Sequence, residues 1–359
     1  MMLTEEDIVS TLSPLNGVYF HIDDLQAYAH KLLINGKSVC TWSDGILISY
    51  VLFYDNGPEV FISMVWTNPK FQNKGHATLL LEGLIRARTK PISLEVDADN
   101  PARLLYRKLG FRSTSTNISR ERMTVDRRIA IMQPYVYPYI GYFQLINATD
   151  FFVFYDDVNY IKRGFINKNN ILLNGEKFSF TIPIANASQN RLIKDTHLLA
   201  DDRWKDTLIK QLIHAYKKAP YFNEVMASII EVIEQPHASI ADMAITSIAS
   251  ACNYLDLQFT HAKSSDFSPE TQGMEKSERL VAIAKKAGGE RYVNSIGGME
   301  LYSKDAFTEK GMNLSFLESG NIEYRQFDDA FLPRLSIIDV MMFNHAEACK
   351  DFCSRYSIV

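Results

Sequence analysis

Val65-Trp-Thr-Asn-Pro-Lys-Phe-Gln-Asn-Lys-Gly-His-Ala77, running on into Thr-Leu-Leu-Leu81, reads as a strand, a short basic loop with one glycine, and the start of an apolar helix. The first turn of a helix carries backbone N–H groups without partners and the positive end of the helix dipole, which together suit a phosphate. Gly75 lets the backbone approach an anion closely and Lys74 adds positive charge. Alone, that combination is common. It gains weight from a second segment some twenty residues on, Leu94-Glu-Val-Asp-Ala-Asp-Asn-Pro-Ala-Arg-Leu-Leu-Tyr-Arg-Lys-Leu-Gly-Phe111, which reads as a strand, a polar turn and a helix closed by glycine.

In this order and at this spacing, Gln72-Asn-Lys-Gly-His-Ala77 resembles the pyrophosphate loop (Gln/Arg-x-x-Gly-x-Gly/Ala) of the GCN5-related N-acyltransferases. The later segment resembles their second signature, Ala-x-x-x-Tyr-x-x-x-Gly-Phe. Ala77 stands where glycine is common, and Asp99 rather than Asn100 takes the place of the family's asparagine. The resemblance spans roughly residues 1–120. It implies an acyl-CoA donor whose pyrophosphate lies on Gln72, Asn73, Lys74, Gly75, His76 and Ala77, with Asp99 and Asn100 as further contacts. It also implies that Met64, Val65 and Trp66 serve the pantetheine arm and the oxyanion, and that Tyr106 protonates the departing thiolate. Glu95 and Asp97 are candidate bases for the acceptor amine, directly or through water. A core role for Tyr106 is equally readable, and carboxylates placed like Glu95 and Asp97 more often make structural hydrogen bonds.

A chain of 359 residues with 47% hydrophobic content is long enough for two domains, here 1–125 and 126–359. The net charge of −4 gives no electrostatic case for nucleic acid. Cys40, Cys252, Cys349 and Cys353 are scattered, and the Cys349/Cys353 pair reads as small buried residues on one helical face. Neither they nor the histidines show metal-ligand spacing, so no metal is expected. With no signal peptide or long apolar span, the expectation is a reduced bacterial cytoplasmic protein with no membrane partner. The oligomeric state does not follow.

The first domain reads as α+β with a mixed, mostly antiparallel sheet. Helices are expected over 5–12 and, capped by Asp23, over 23–33; strands over 38–42, 46–54 and 60–66; then helix 75–88, strand 92–96, helix 101–109 and strand 111–117. Ser43-Asp-Gly45 and Asp55-Asn-Gly-Pro58 are the turns of a meander. Leu79, Leu80, Leu84 and Ile85 define the apolar side of the first long helix. The element order stops a strand short of the usual acyltransferase, and Ser119 to Arg128 reads as a charged linker.

Beyond it lies a larger α/β domain. Strands at 129–132 and 151–154 each lead into a polar cluster, Gln133–Tyr139 and Asp156–Asn169, and ligands of α/β sheets bind beyond strand carboxyl ends. Gln133-Pro-Tyr-Val-Tyr-Pro-Tyr-Ile-Gly-Tyr-Phe143 suits stacking on a sugar or nucleobase, and suits a rigid hinge equally well. Ile131-Met-Gln-Pro-Tyr-x-Tyr-Pro-Tyr-Ile-Gly-Tyr-Phe143, Tyr155-Asp-Asp-Val-x-Tyr-Ile-Lys-Arg-Gly-Phe-Ile-Asn167, Asn294-Ser-Ile-Gly-Gly298 and Leu335-Ser-Ile-Ile-Asp-Val-Met-Met-Phe-Asn344 resemble the WbqC-like family, with Lys168 and Asn170 in the place of arginines. That resemblance implies bacterial surface-polysaccharide assembly. The combined expectation is transfer of an acyl group from acyl-CoA to a nucleotide-linked amino sugar such as a dTDP-amino-dideoxyhexose. Gln133, Tyr135, Tyr137, Tyr160, Lys162, Arg163 and Asn167 would contact the acceptor, and Asp156 or Asp157 would act as base if it faced the cleft. Two independent activities on one chain, or a non-catalytic acyl-CoA-binding regulator, are the alternatives.

Overall fold

The computed structural model describes residues 3–17, 21–57, 59–87, 90–116, 119–327 and 330–359. Pro58 and the expected element ends at Arg88 and Asn117 lie outside the described residues. The chain forms two compact units, Met1–Asp126 and Arg127–Val359.

In the first unit, α1 (Glu5–Leu12) starts at a capping box between Thr4 and Asp7, and α2 (Leu25–Asn35) is capped by Asp24 rather than Asp23. Three strands follow, β1 (Lys37–Ser43), β2 (Ile46–Tyr54) and β3 (Val60–Thr67). Asp44 and Gly45 both take positive φ in the β1–β2 turn, the geometry that matches strand twist in a two-residue hairpin. Then come α3 (His76–Ala87), β4 (Ile92–Asp97), α4 (Ala102–Lys108), β5 (Arg112–Thr116) and β6 (Arg120–Val125). The sheet order is β1-β2-β3-β4-β6-β5, antiparallel throughout except for the parallel β3–β4 pair. Cores lie on both faces, Leu81, Leu94, Tyr106 and Phe111 on one and Ile8, Leu32, Tyr50 and Leu52 on the other.

Two expectations are corrected here. Residues 119–128 are not a linker: β6 is the strand thought missing, and it lies inside the sheet between β4 and β5. Its charges are matched rather than solvated. Glu121, 2% exposed, accepts from Arg103 at 2.5 Å and from Arg107 at 3.3 Å. On α3, Leu80, Leu84 and Ile85 pack on the core with the fully buried Leu81, while Leu79 is exposed instead of belonging to that face.

The second unit opens with β7 (Arg128–Met132), α5 (Ile140–Ala148) and β8 (Phe151–Phe154). A hairpin of β9 (Lys168–Leu173) and β10 (Glu176–Thr181) forms its own two-stranded sheet. Helices α6 (Arg203–Tyr216), α7 (Phe222–Glu234) and α8 (Ile240–Tyr254) lead to β11 (His261–Lys263), α9 (Ser264–Phe267) and α10 (Lys276–Lys286). The chain ends through β12 (Arg291–Ser295), α11 (Lys304–Glu309), β13 (Asn313–Ser319), α12 (Ile337–Phe343), α13 (Ala346–Ser354) and β14 (Tyr356–Ile358). The main sheet runs β11-β8-β7-β12-β13-β14, parallel except at β14. Strands β7, β8 and β12 are buried on both faces, as a parallel sheet covered by helices requires.

Candidate functional site

The first unit contains a place where two neighbouring strands separate. β3 and β4 pair only over Val60↔Ile92, Phe61↔Ser93 and Ile62↔Leu94, although β3 continues to Thr67 and β4 to Asp97. The cause lies in the register on the other side of β3. Leu52 pairs with Met64 and Phe53 with Ile62, so Ser63 is an extra residue. Such a bulge bends its strand and increases its twist, and here it turns β3 away from β4. Met64, Val65 and Trp66 therefore lie on a stretch of β3 with no strand neighbour on the β4 side. Trp66 is fixed by stacking on Tyr50 at 5.5 Å, and the Tyr50 hydroxyl donates to the Met64 sulfur at 3.3 Å.

The loop from β3 into α3 is held by short local bonds. The Gln72 amide donates to the Thr67 carbonyl at 3.3 Å, and Lys74 lies over the Phe71 ring at 5.1 Å while its Nζ donates to the Lys70 carbonyl. Asn73 and Gly75 both have positive φ, 59° and 83°, and a β-carbon at Gly75 would meet nothing within 4 Å. Backbone N–H groups of Asn73, Lys74, Gly75, His76 and Ala77 donate to no protein group among the described residues. This loop can hold an anion: it offers open space, free donors, a lysine and a helix amino terminus.

Tyr106 sits on α4, 8% exposed, edge-on to Phe111 at 5.8 Å, with no hydrogen-bond partner for its hydroxyl among the described residues. Burial pushes the phenol up to about 12, so it stays protonated at any working pH. Asn100 is occupied in starting α4, its side-chain oxygen accepting from the Ala102 N–H at 2.9 Å, while Asp99 is exposed. Glu95 and Asp97 stand on the separated half of β4, exposed, and accept from Arg122 and Arg120 opposite them on β6.

In the second unit the sequence-derived set divides. Gln133 and Tyr135 are half-buried, and Lys162 and Arg163 are exposed with no ion-pair partner among the described residues. Three others are corrected from ligand contacts to core. Tyr137 is buried, its backbone locked by Ser247, Asn169 and Ser336. Tyr160 is buried and donates to Asn167 at 2.7 Å, whose own amide is spent on the Ile182 carbonyl. The expectation that Asp156 or Asp157 is a base is likewise corrected. Asp156, 1% exposed, accepts from Ser264, Ser265 Oγ and Ser265 N–H, and Asp157, 4% exposed, accepts from Ser264 and Arg279. Their oxygens tie the end of β8 to α9 and α10, and both carboxylates are almost wholly buried.

Among the described residues no group of three or more His, Cys, Asp or Glu could hold a metal ion, and no helix is long and apolar enough to cross a membrane.

Residues 7–111 match the Acetyltransferase (GNAT) family model, so the first unit is an acetyltransferase domain and the chain is, in general terms, an N-acyltransferase. Residues 133–351 match the WbqC-like protein family, and the chain belongs to that family. A similar curated protein is "Uncharacterized protein Rv1507c" of Mycobacterium tuberculosis, 26% identical over 225 residues, which are 62% of this chain and 96% of that one. Similar solved structures include the ribosomal-protein-S18-alanine N-acetyltransferase from Escherichia coli (21% identity, 34% of this chain, 88% of that chain, TM-score 0.29). Another is the PaiA N-acetyltransferase from Thermoplasma acidophilum in complex with coenzyme A (16% identity, 34% and 95%, TM-score 0.28).

Proposed function

We propose that the protein transfers an acyl group from acyl-CoA to the amine of a nucleotide-linked amino sugar, such as a dTDP-amino-dideoxyhexose, for bacterial surface polysaccharide. The observation that carries this reading is the bulge at Ser63, which opens β3 from β4 beside a loop of free N–H groups at Asn73–Ala77. A pyrophosphate fits that loop, and an extended thioester arm fits along the unpaired edge of β3 over Met64–Trp66. Backbone N–H groups on that edge stabilise the negative charge that develops on the carbonyl oxygen. Tyr106, protonated and without another hydroxyl partner among the described residues, gives its proton to the departing thiolate. Glu95 and Asp97, exposed on the parted half of β4, are the groups through which the amine's proton passes to water.

The acceptor belongs to the WbqC-like unit in this reading. Its support is the accessible set Gln133, Tyr135, Lys162 and Arg163, all beyond the carboxyl ends of β7 and β8, where α/β sheets bind ligands. A thiol-release assay with a panel of acyl-CoAs against nucleotide-linked amino sugars tests it. Sugar-dependent release with a matching mass increase on the sugar amine is the expected result. Acyl-CoA turnover on peptide amines alone would overturn it.

A further inference from the structure

In the second unit, the connection from β8 to β9 carries a tight turn, Ile161-Lys-Arg-Gly164, closed by the Gly164 N–H donating to the Ile161 carbonyl at 3.2 Å. Arg163 takes a φ of 65°, uncommon for a residue with a side chain. A β-carbon at Gly164 would lie 3.2 Å from the Ile161 carbonyl, so glycine suits the tightness of the turn.

The base of this turn is firmly held. Tyr160 and Ile166, on either side of it, are buried. The Tyr160 hydroxyl donates to Asn167 at 2.7 Å and its N–H to the Arg191 carbonyl at 2.8 Å. The Ile166 carbonyl accepts from the Val136 N–H at 3.1 Å, and the Asn167 carbonyl from the Ile182 N–H at 2.7 Å. Yet the tip presents large apolar groups to water: Ile161 and Phe165 are each 49% exposed. Single exposed apolar residues are ordinary on a protein surface. Two of them on one anchored turn, with Lys162 and Arg163 exposed between them, form a more particular pattern.

The charge around the turn has one sign. Residues 161–175 contain no Asp or Glu, and neither do 133–139 or 181–194, the segments hydrogen-bonded to its base. Lys162, Arg163, Lys168 and Arg191 have no ion-pair partner among the described residues, and the Lys168 ammonium lies over the Phe165 ring at 5.9 Å. On a chain of net charge −4 this is a local excess of positive charge. A soluble anion would use the cations and leave Ile161 and Phe165 in water. A folded protein partner would want a contiguous apolar centre, from which lysine is usually absent. An anionic bilayer takes both kinds of group, apolar side chains entering the acyl boundary while Lys and Arg meet the headgroups.

We infer that the turn at 161–165 rests on an anionic membrane surface, with Ile161 and Phe165 inserted and Lys162 and Arg163 at the headgroups. Such docking needs no spanning helix. It goes beyond the proposed reaction. Lys162 and Arg163 are shared with the acceptor set, so Ile161 and Phe165, outside that set, discriminate between the two roles.

The test is co-sedimentation of the full chain with vesicles of phosphatidylcholine alone and of phosphatidylcholine mixed with phosphatidylglycerol. Binding is expected to the mixed vesicles only, and should weaken as sodium chloride is added. Ile161→Ser with Phe165→Ser, and separately Lys162→Glu with Arg163→Glu, should each weaken it tenfold or more, with circular dichroism confirming that the variants fold. Phe165→Trp keeps the cations and reads the contact directly: its emission, taken as the difference from wild type, should shift to the blue on mixed vesicles. No binding of the wild type at low salt, or an unshifted Phe165→Trp, overturns the inference. So does wild-type binding by the folded serine pair, particularly if inorganic pyrophosphate displaces it, since the turn would then hold soluble anions. Vesicle binding without any sugar acylation would keep this inference and overturn the proposed reaction; sugar acylation without vesicle binding would do the reverse.

Discussion

Arg279 donates to Asp157 at 2.6 Å with both side chains almost wholly out of water, 5% and 2% exposed. The guanidinium also lies over the Tyr155 ring at 4.8 Å and donates to Thr271 at 3.1 Å. Removing one partner of such a pair leaves a buried charge, which costs about 3–5 kcal/mol. Asp157→Ala should lose that much in urea unfolding of the second unit, and Asp157→Leu with Arg279→Met should recover most of it. A variant that kept its stability yet lost turnover would instead make Asp157 a base.

Tyr106→Phe removes only the hydroxyl from a buried ring. General-acid assistance is commonly worth about 100-fold or more, so kcat should fall by about that factor with the acyl-CoA KM little changed. Because burial lifts the phenol to about 12, the wild-type rate should show no decline from this group between pH 7 and 10. Stopped-flow thiol release across that range reads both effects.

Gly75 holds a φ of 83° where the loop enters α3. A β-branched side chain is strongly disfavoured there, so Gly75→Val must reshape the loop and displace its free N–H groups. The acyl-CoA KM should rise about tenfold or more while nucleotide affinity stays unchanged. Lys74→Ala, which removes charge without altering the backbone, should raise it by a smaller factor and reduce its salt dependence.

Glu121 offers a pH test of the β6 assignment. Burial raises its carboxyl, but hydrogen bonds from Arg103 and Arg107 outweigh that and hold it below the usual 4.5. A depressed folded value means the unfolded chain takes up the proton first as pH falls. The stabilisation is therefore complete above about pH 5 and is lost as pH drops through the folded value. Glu121→Gln should cost about 2 kcal/mol at pH 7 and flatten the loss of stability of the first unit below pH 5, measured by denaturant melts.

What could be read before folding was what local chemistry determines. The Gly75 loop, the β1–β2 turn at Asp44-Gly45 and the strand Phe151–Phe154 each follow from adjacent residues. β6 escaped because Ser119–Arg128 is charged enough to pass for a solvated linker, and its partners Arg103, Glu95 and Glu59 lie elsewhere in the chain. Asp156 and Asp157 looked like exposed acids because Arg279 is 122 residues away in sequence. Tyr137 and Tyr160 looked like stacking platforms because burial is a tertiary property.

The interior position of β6 also bears on how the protein is made. Synthesis delivers β1 to β5 first, yet β5 can pair with nothing until β6 has emerged to lie between it and β4. The acetyltransferase sheet thus closes with its last-translated strand, and only Asp126 and Arg127 separate that strand from β7, on which the next sheet is built. Until β6 emerges, β4 keeps an open edge and β5 has no partner, the condition in which an incomplete sheet is most open to mispairing.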